Sequence, residues 1–147
     1  MLADAKRKRL KDEAERDERE RGLRQMLNLG HTIGHALEAE TRYTQLLHGE
    51  AVAWGMIAVT HIALSTGRLN EATADRIIAA ILGFGRLPSM KIQTRGVVKR
   101  LNSDKKTRHG VVHFILPTQI GKVEIVSDVP ATVVRSAVDE IRRLALK

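Results

Sequence analysis

The residues of this chain best suited to chemistry are three histidines, at positions 31, 35 and 48. His31 and His35 are four apart, so on a helix their rings leave one face with Cβ atoms roughly 5–6 Å apart. His48 follows in His48-Gly49-Glu50, where a tight turn can return it toward the first two. Imidazole suits zinc or cobalt, and a catalytic zinc takes three protein ligands and leaves one position open. The chain has no cysteine, so any metal must be held through His, Asp or Glu. Spacing alone favours the plainer reading, in which each histidine is a hydrogen-bonded core or surface residue. The glycines change that balance. Gly30 and Gly34 flank the pair, and each costs about 1 kcal/mol relative to Ala inside a helix, so they suit close backbone or ligand approach beside a packed groove. Arg24 and Asn28 precede the pair; the first can aim a guanidinium at phosphate or carboxylate, the second offers donor and acceptor to substrate hydroxyls. Either could equally be a cap or a surface group.

The elements that must position these residues read as mainly helical. Residues 4–21 are almost wholly charged, with opposite pairs such as Lys8/Asp12, Arg9/Glu13 and Glu15/Arg19 four apart, which predicts a solvated helix that Gly22 interrupts. A second helix is expected from Asn28, its cap, to about Glu40, with Leu29, Ile33, Ala36 and Leu37 as its apolar face. Residues 41–47 are the connection. A third helix is expected over 49–65 and a fourth over 71–82, with Gly67 and Asn70 marking the break. Pro88 ends the next stretch, and Val97 to Leu101 predicts a short helix before the polar run Asn102-Ser103-Asp104-Lys105-Lys106. The period then changes: Val111–Leu116 and Val123–Val126 are rich in β-branched residues around Pro117–Lys122, which predicts a small antiparallel pair. Pro130 opens a last helix with a stripe of Val133, Val134, Ala137, Val138, Ile141 and Leu144. The fold class expected is a multi-helix domain with a small antiparallel β pair near residues 111–126.

Size and composition narrow the classes. A chain of 147 residues, 43% hydrophobic, can bury one ordinary core. Its longest apolar stretch, Ala51 to Leu64, contains Thr60 and His61 and is too short and polar to span a bilayer. The basic amino end lacks the apolar region of a secretory signal, and the absence of cysteine suits a reducing cytosol; a cytoplasmic protein is expected, with no membrane partner. The net charge of +8 favours polyanions, either nucleic acid or a phosphorylated substrate. Aromatic residues at 3% leave few platforms for unpaired bases, and no nucleic-acid module signature is visible.

Three runs carry a family resemblance. Asp17-Glu18-Arg19-Glu20-Arg21-Gly22-Leu23-Arg24, then Leu27-Asn28-Leu29-Gly30-His31-Thr32-Ile33-Gly34-His35-Ala36-Leu37-Glu38, then Leu47-His48-Gly49-Glu50-Ala51-Val52 closely resemble 3-dehydroquinate synthase. Asp104-Lys105-Lys106, Gly110, Phe114 and Ile120-Gly121 repeat that family's carboxy-terminal pattern in the same order, so the resemblance spans about residues 17–147. It implies a lyase of the shikimate pathway that cyclises a phosphorylated keto-acid sugar to 3-dehydroquinate, releases phosphate, and uses NAD and a divalent metal, zinc or cobalt. By the same resemblance His31 and His48 bind the metal, and His35 is a polar substrate contact or proton-transfer aid. Arg24 and Asn28 hold substrate with Glu20 beside them, and one of Lys105 and Lys106 faces the phosphate. The metal acts as a Lewis acid, and NAD takes and returns a hydride.

The resemblance also has limits. The family's third metal ligand, a glutamate, and its NAD-binding domain lie upstream of the matched region, and the 147 residues hold no Gly-rich dinucleotide fingerprint. The expectation is a carboxy-terminal domain of residues 23–147 that binds metal weakly, binds no NAD by itself, and turns over only with an amino-terminal domain as partner. Residues 1–22 depart further: a lysine functional in the family falls at Leu10, with Lys11 one step away, and Glu13 and Ala14 replace an apolar pair. That helix reads as a surface rewritten to stand in water. An apolar face left uncovered would favour a homo-oligomer. Other readings are a sister sugar-phosphate cyclase, a polyol dehydrogenase relative, or a basic helical nucleic-acid-binding module; the Asp-Lys-Lys segment favours a phosphorylated substrate over a polyol.

Overall fold

A computed structural model describes residues 2–107 and 110–146, and their side chains apart from those of residues 18–24 and 105–107. The element order is α1 (Leu2–Leu27), α2 (His31–Glu40), α3 (His48–Ser65), α4 (Glu71–Gly83), α5 (Thr94–Thr107), β1 (Phe114–Gln119), β2 (Lys122–Val126) and α6 (Ala131–Ala145). The predicted class holds: helices dominate and one two-stranded antiparallel sheet follows α5.

α3 is the axis. Its sequence is apolar nearly all round, and Ala51, Trp54, Ile57, Ala58, Val59, Ile62 and Ala63 are buried, as expected of a helix surrounded by others. Around it pack α2, α4, α6 and β1. Ile33 and Leu37 enter from α2, Val97 and Leu101 from α5, Val138 and Ile141 from α6, and Leu116 from β1. Each fully buried aliphatic side chain contributes about 1.5–3 kcal/mol, so this cluster is the main source of stability. α4 gives the core little beyond Ala74 and partly buried isoleucines; Asn70 starts it by accepting a hydrogen bond from the Thr73 N–H at 2.8 Å.

Four boundaries differ from expectation. α1 runs through Gly22 to Leu27, because a single glycine weakens a helix by about 1 kcal/mol without ending it. α2 starts at His31, with Gly30 rather than Asn28 at its cap. Gly30 has φ +80°, a left-handed conformation that glycine adopts without cost, and the chain turns there under hydrogen bonds from Asn28 N to Gln25 O and Leu29 N to Met26 O. α5, with 14 residues, is nearly three times the expected length and contains the polar run 102–106; nothing in that run breaks a helix, and Val97 and Leu101 anchor its buried side. β1 begins three residues late and includes Pro117, paired with Val123 beside a register shift. Proline fits there because an irregular position in a two-stranded sheet needs no N–H donor. The turn itself narrows to Ile120-Gly121, with Gly121 at φ +83°.

A candidate metal and substrate site at the α2–α3 corner

α2 and α3 meet backbone to backbone. A Cβ on Gly55 would lie 2.1 Å from the Gly30 carbonyl oxygen and 2.9 Å from the Gly34 nitrogen. A Cβ on Gly30 would lie 2.6 Å from the Met56 nitrogen. No side chain can be fitted between two main chains at that separation, so Gly30 and Gly55 are a condition of the contact, while a Cβ on Gly34 would press on the Ala51 carbonyl oxygen at 3.2 Å. The expected close approach at Gly30 and Gly34 is therefore real, and Gly55 is the partner that sequence reasoning missed.

This contact brings the histidines together. His31, His35 and Glu38 fall at i, i+4 and i+7 on α2, one stripe of the helix. His48 is the first residue of α3, delivered to that stripe by the 41–47 connection. The start of α3 is set by Glu50, whose Oε1 accepts a hydrogen bond from the Leu47 N–H at 2.7 Å, the reach-back half of a capping box. Glu50 in His48-Gly49-Glu50 thus has a structural task, which fixes the backbone that carries His48. Ring centroids are 5.4 Å apart for His31–His48, 5.7 Å for His31–His35 and 5.8 Å for His35–His48.

Two of the rings are oriented through Nδ1. His48 Nδ1 donates to Glu38 Oε1 at 3.0 Å, and His31 Nδ1 lies 3.4 Å from the Leu29 carbonyl oxygen. Donation through Nδ1 leaves Nε2 as the lone-pair atom, the usual arrangement of a metal-binding histidine. With metal–nitrogen bonds of about 2.0–2.1 Å in a tetrahedral shell, ring centres on one ion lie roughly 5 Å apart, close to the His31–His48 separation. The donor chemistry fits a divalent cation. A second donor set also exists: one ligand atom each from His35, Glu38 and His48 lie within 4.8 Å of one another. That set would have to use Glu38 as a ligand, and Glu38 is already engaged by His48 Nδ1 from a buried position. The pair His31 and His48, using Nε2, asks for no bond to be broken.

The other expected site residues are placed less completely. Asn28 is exposed in the turn between α1 and α2. Glu20 and Arg24 lie on the last turns of α1, and Lys105 and Lys106 on the last turn of α5; their side chains are outside the described residues. Between α2 and α5 runs an open groove of about 400 Å³, lined by Thr32, His35, Tyr43, Arg100, Ser103 and Asp104 among others. His35 and the end of α5 therefore face a common space. Arg100 is tied to Glu40 at 2.9 Å, and Gly96 makes room for the Glu40 carboxylate, which a Cβ there would meet at 2.2 Å. Outside the corner, His61 on α3 titrates below the ordinary imidazole value, mainly because burial penalises its charged form, with Glu140 opposing and Arg143 adding to the shift.

Residues 6–107 match the family model for the 3-dehydroquinate synthase C-terminal region. The 3-dehydroquinate synthase of Koribacter versatilis (strain Ellin345) is 54% identical over 129 residues, covering 88% of this chain and 35% of its own. That of Solibacter usitatus (strain Ellin6076) is 48% identical over 122 residues, covering 82% and 34%. The chain thus spans about a third of the length of the curated relatives it matches. Among solved structures, 2-epi-5-epi-valiolone synthase from Streptomyces hygroscopicus subsp. jinggangensis 5008, with NAD+ and Zn2+ bound, superposes with a TM-score of 0.66 at 27% identity over 80% of this chain and 32% of that one. A 2-deoxy-scyllo-inosose synthase complexed with carbaglucose-6-phosphate, NAD+ and Co2+ gives 0.64 at 25% identity over 79% and 32%.

Proposed function

Because this chain belongs to the 3-dehydroquinate synthase C-terminal family, we propose that it supplies the metal-binding and substrate-binding portion of a 3-dehydroquinate synthase of the shikimate pathway. The observation that carries this reading is the meeting of three imidazoles at a corner locked by glycines, with the end of α5 across the groove from His35.

In this reading His31 and His48 hold a divalent metal, zinc or cobalt, through Nε2. The remaining coordination comes from the substrate and from a carboxylate outside these 147 residues, so the isolated chain binds the ion weakly. The bound metal supplies Lewis acidity, and NAD, held elsewhere in the whole enzyme, supplies hydride transfer. His35 stands beside the pair, exposed toward the groove, where it contacts a substrate hydroxyl or passes a proton. Asn28 and Arg24 anchor the acidic and hydroxylated end of the substrate, with Glu20 in the same polar site. One of Lys105 and Lys106 serves the phosphate, since a cation beside it offsets the charge of the leaving group. The partner required is an amino-terminal NAD-binding portion. Leu27, shortly before His31, and Leu47, next to His48, are largely exposed and belong to the surface it would cover. A cytoplasmic setting agrees with the absence of cysteine. The 54% identity to a 3-dehydroquinate synthase, against 25–27% to the sister cyclases, favours the first substrate class.

The test is phosphate release from the keto-acid sugar phosphate. The 147-residue chain alone is expected to be inactive. Activity is expected when it is mixed with the amino-terminal portion of the Koribacter versatilis relative, and is lost again with His31→Ala or His48→Ala. Robust turnover by the single chain would overturn the division of labour proposed here.

A further inference from the structure

Glu38 is a carboxylate in an expensive position. Its side chain is only 11% exposed while the His48 ring above it is 58% exposed. No lysine or arginine among the described residues pairs with it, and its only side-chain partner there is His48 Nδ1, at 3.0 Å. A buried carboxylate with a single partner costs stability that an apolar residue at the same place would not. It sits on the same stripe of α2 as His31 and His35, one turn beyond them, so the helix that presents two histidines also presents the group that orients the third.

We infer that Glu38 is a positioning residue for the metal centre: it accepts the Nδ1 proton of His48, selects that tautomer, and holds the Nε2 lone pair toward His31. This rests on the proposed metal-binding role of His31 and His48 and deepens it. The inference follows from two geometric facts. The Nδ1–Glu38 bond is already formed, and the His48 ring centre lies 5.4 Å from that of His31, close to the separation of two imidazoles on one ion. A carboxylate behind a ligating histidine also raises the basicity of the ligating nitrogen, which is why such partners influence affinity without touching the ion. The alternative, in which Glu38 is itself a ligand with His35 and His48, predicts a different shell.

The experiment compares the 147-residue chain with Glu38→Gln and Glu38→Ala, each checked for folding by thermal denaturation. First, long-range proton–nitrogen NMR of the metal-free chain at about pH 8.5, well above the ordinary imidazole range, reports the His48 tautomer. The proton is expected on Nδ1 in the parent and distributed over both nitrogens in Glu38→Ala. Second, titration with Co2+ followed by visible absorption is expected to show a roughly 10–100-fold weaker affinity in Glu38→Ala. The loss should be smaller in Glu38→Gln, whose amide oxygen can still accept the proton, and the band shape should be the same throughout. A proton on Nε2 of His48 in the parent would overturn the inference. So would a Co2+ spectrum in Glu38→Ala reporting a lost ligand, or an affinity unchanged by both substitutions. His48→Ala separates the two levels: undiminished Co2+ binding in that variant defeats the metal-site reading, whereas the tautomer of metal-free His48 judges Glu38 independently. Should Glu38→Ala fail to fold, the tautomer in the parent and in Glu38→Gln decides.

Discussion

α1 and the α2–α3 corner are both helical, and they are built on opposite principles. Residues 2–17 of α1 are exposed throughout, its ion pairs lie along its own surface, and the neighbour it touches most is β2. At the corner, main chains lie in contact, a carboxylate is buried, and three histidines from two helices share one space. The arm therefore tolerates change that the corner does not. A solvated helix is held by many weak local terms, each worth a few tenths of a kcal/mol. A backbone contact has no side chain to give way, so a single added carbon must move a helix.

That contrast can be broken at Gly55. Gly55→Ala puts a methyl group 2.1 Å from the Gly30 carbonyl oxygen, and overpacking of this kind costs roughly 3 kcal/mol, the upper end of the usual range. Urea denaturation should show that loss, together with weakened Co2+ binding as the histidines separate; a neutral substitution would mean that the helices do not touch there. A smaller effect sharpens the comparison at the start of α3. Glu50→Ala leaves the Leu47 N–H without its acceptor and should lower stability by about 1 kcal/mol, with a fall in metal affinity if the helix start frays and releases His48. On the arm, Arg9→Ala removes the pair with Glu13, whose members are 82% and 50% exposed. The expected change in unfolding free energy is at most about 0.5 kcal/mol, shrinking in high salt. A loss of 2 kcal/mol or more there would show that the arm is packed rather than solvated.

Much of this was legible in the chain itself, for a physical reason in each case. Periodic apolar residues placed α4 and α6 nearly to the residue, because burial of one helix face writes its period into the sequence, and α3 was marked by its long apolar stretch. The glycine-flanked histidines announced a close approach because glycine inside a helix is costly unless space demands it. Boundaries governed by competing local terms were read less well: Gly22 did not stop α1, Asn28 did not cap α2, and Pro117 joined a strand.

By itself, then, the sequence determined the mainly helical class, the core stripes, the absence of thiolate chemistry and the family motifs. These follow from residue type and short-range spacing. Only the tertiary structure decided that Gly55 is the third glycine of the helix contact, that Glu50 starts α3, and that Glu38 lies behind the His48 ring. Those relations join residues ten to twenty-five positions apart, or assign one of several roles open to a carboxylate. Spacing along a chain carries no distance until two helices have packed and placed their backbones in contact.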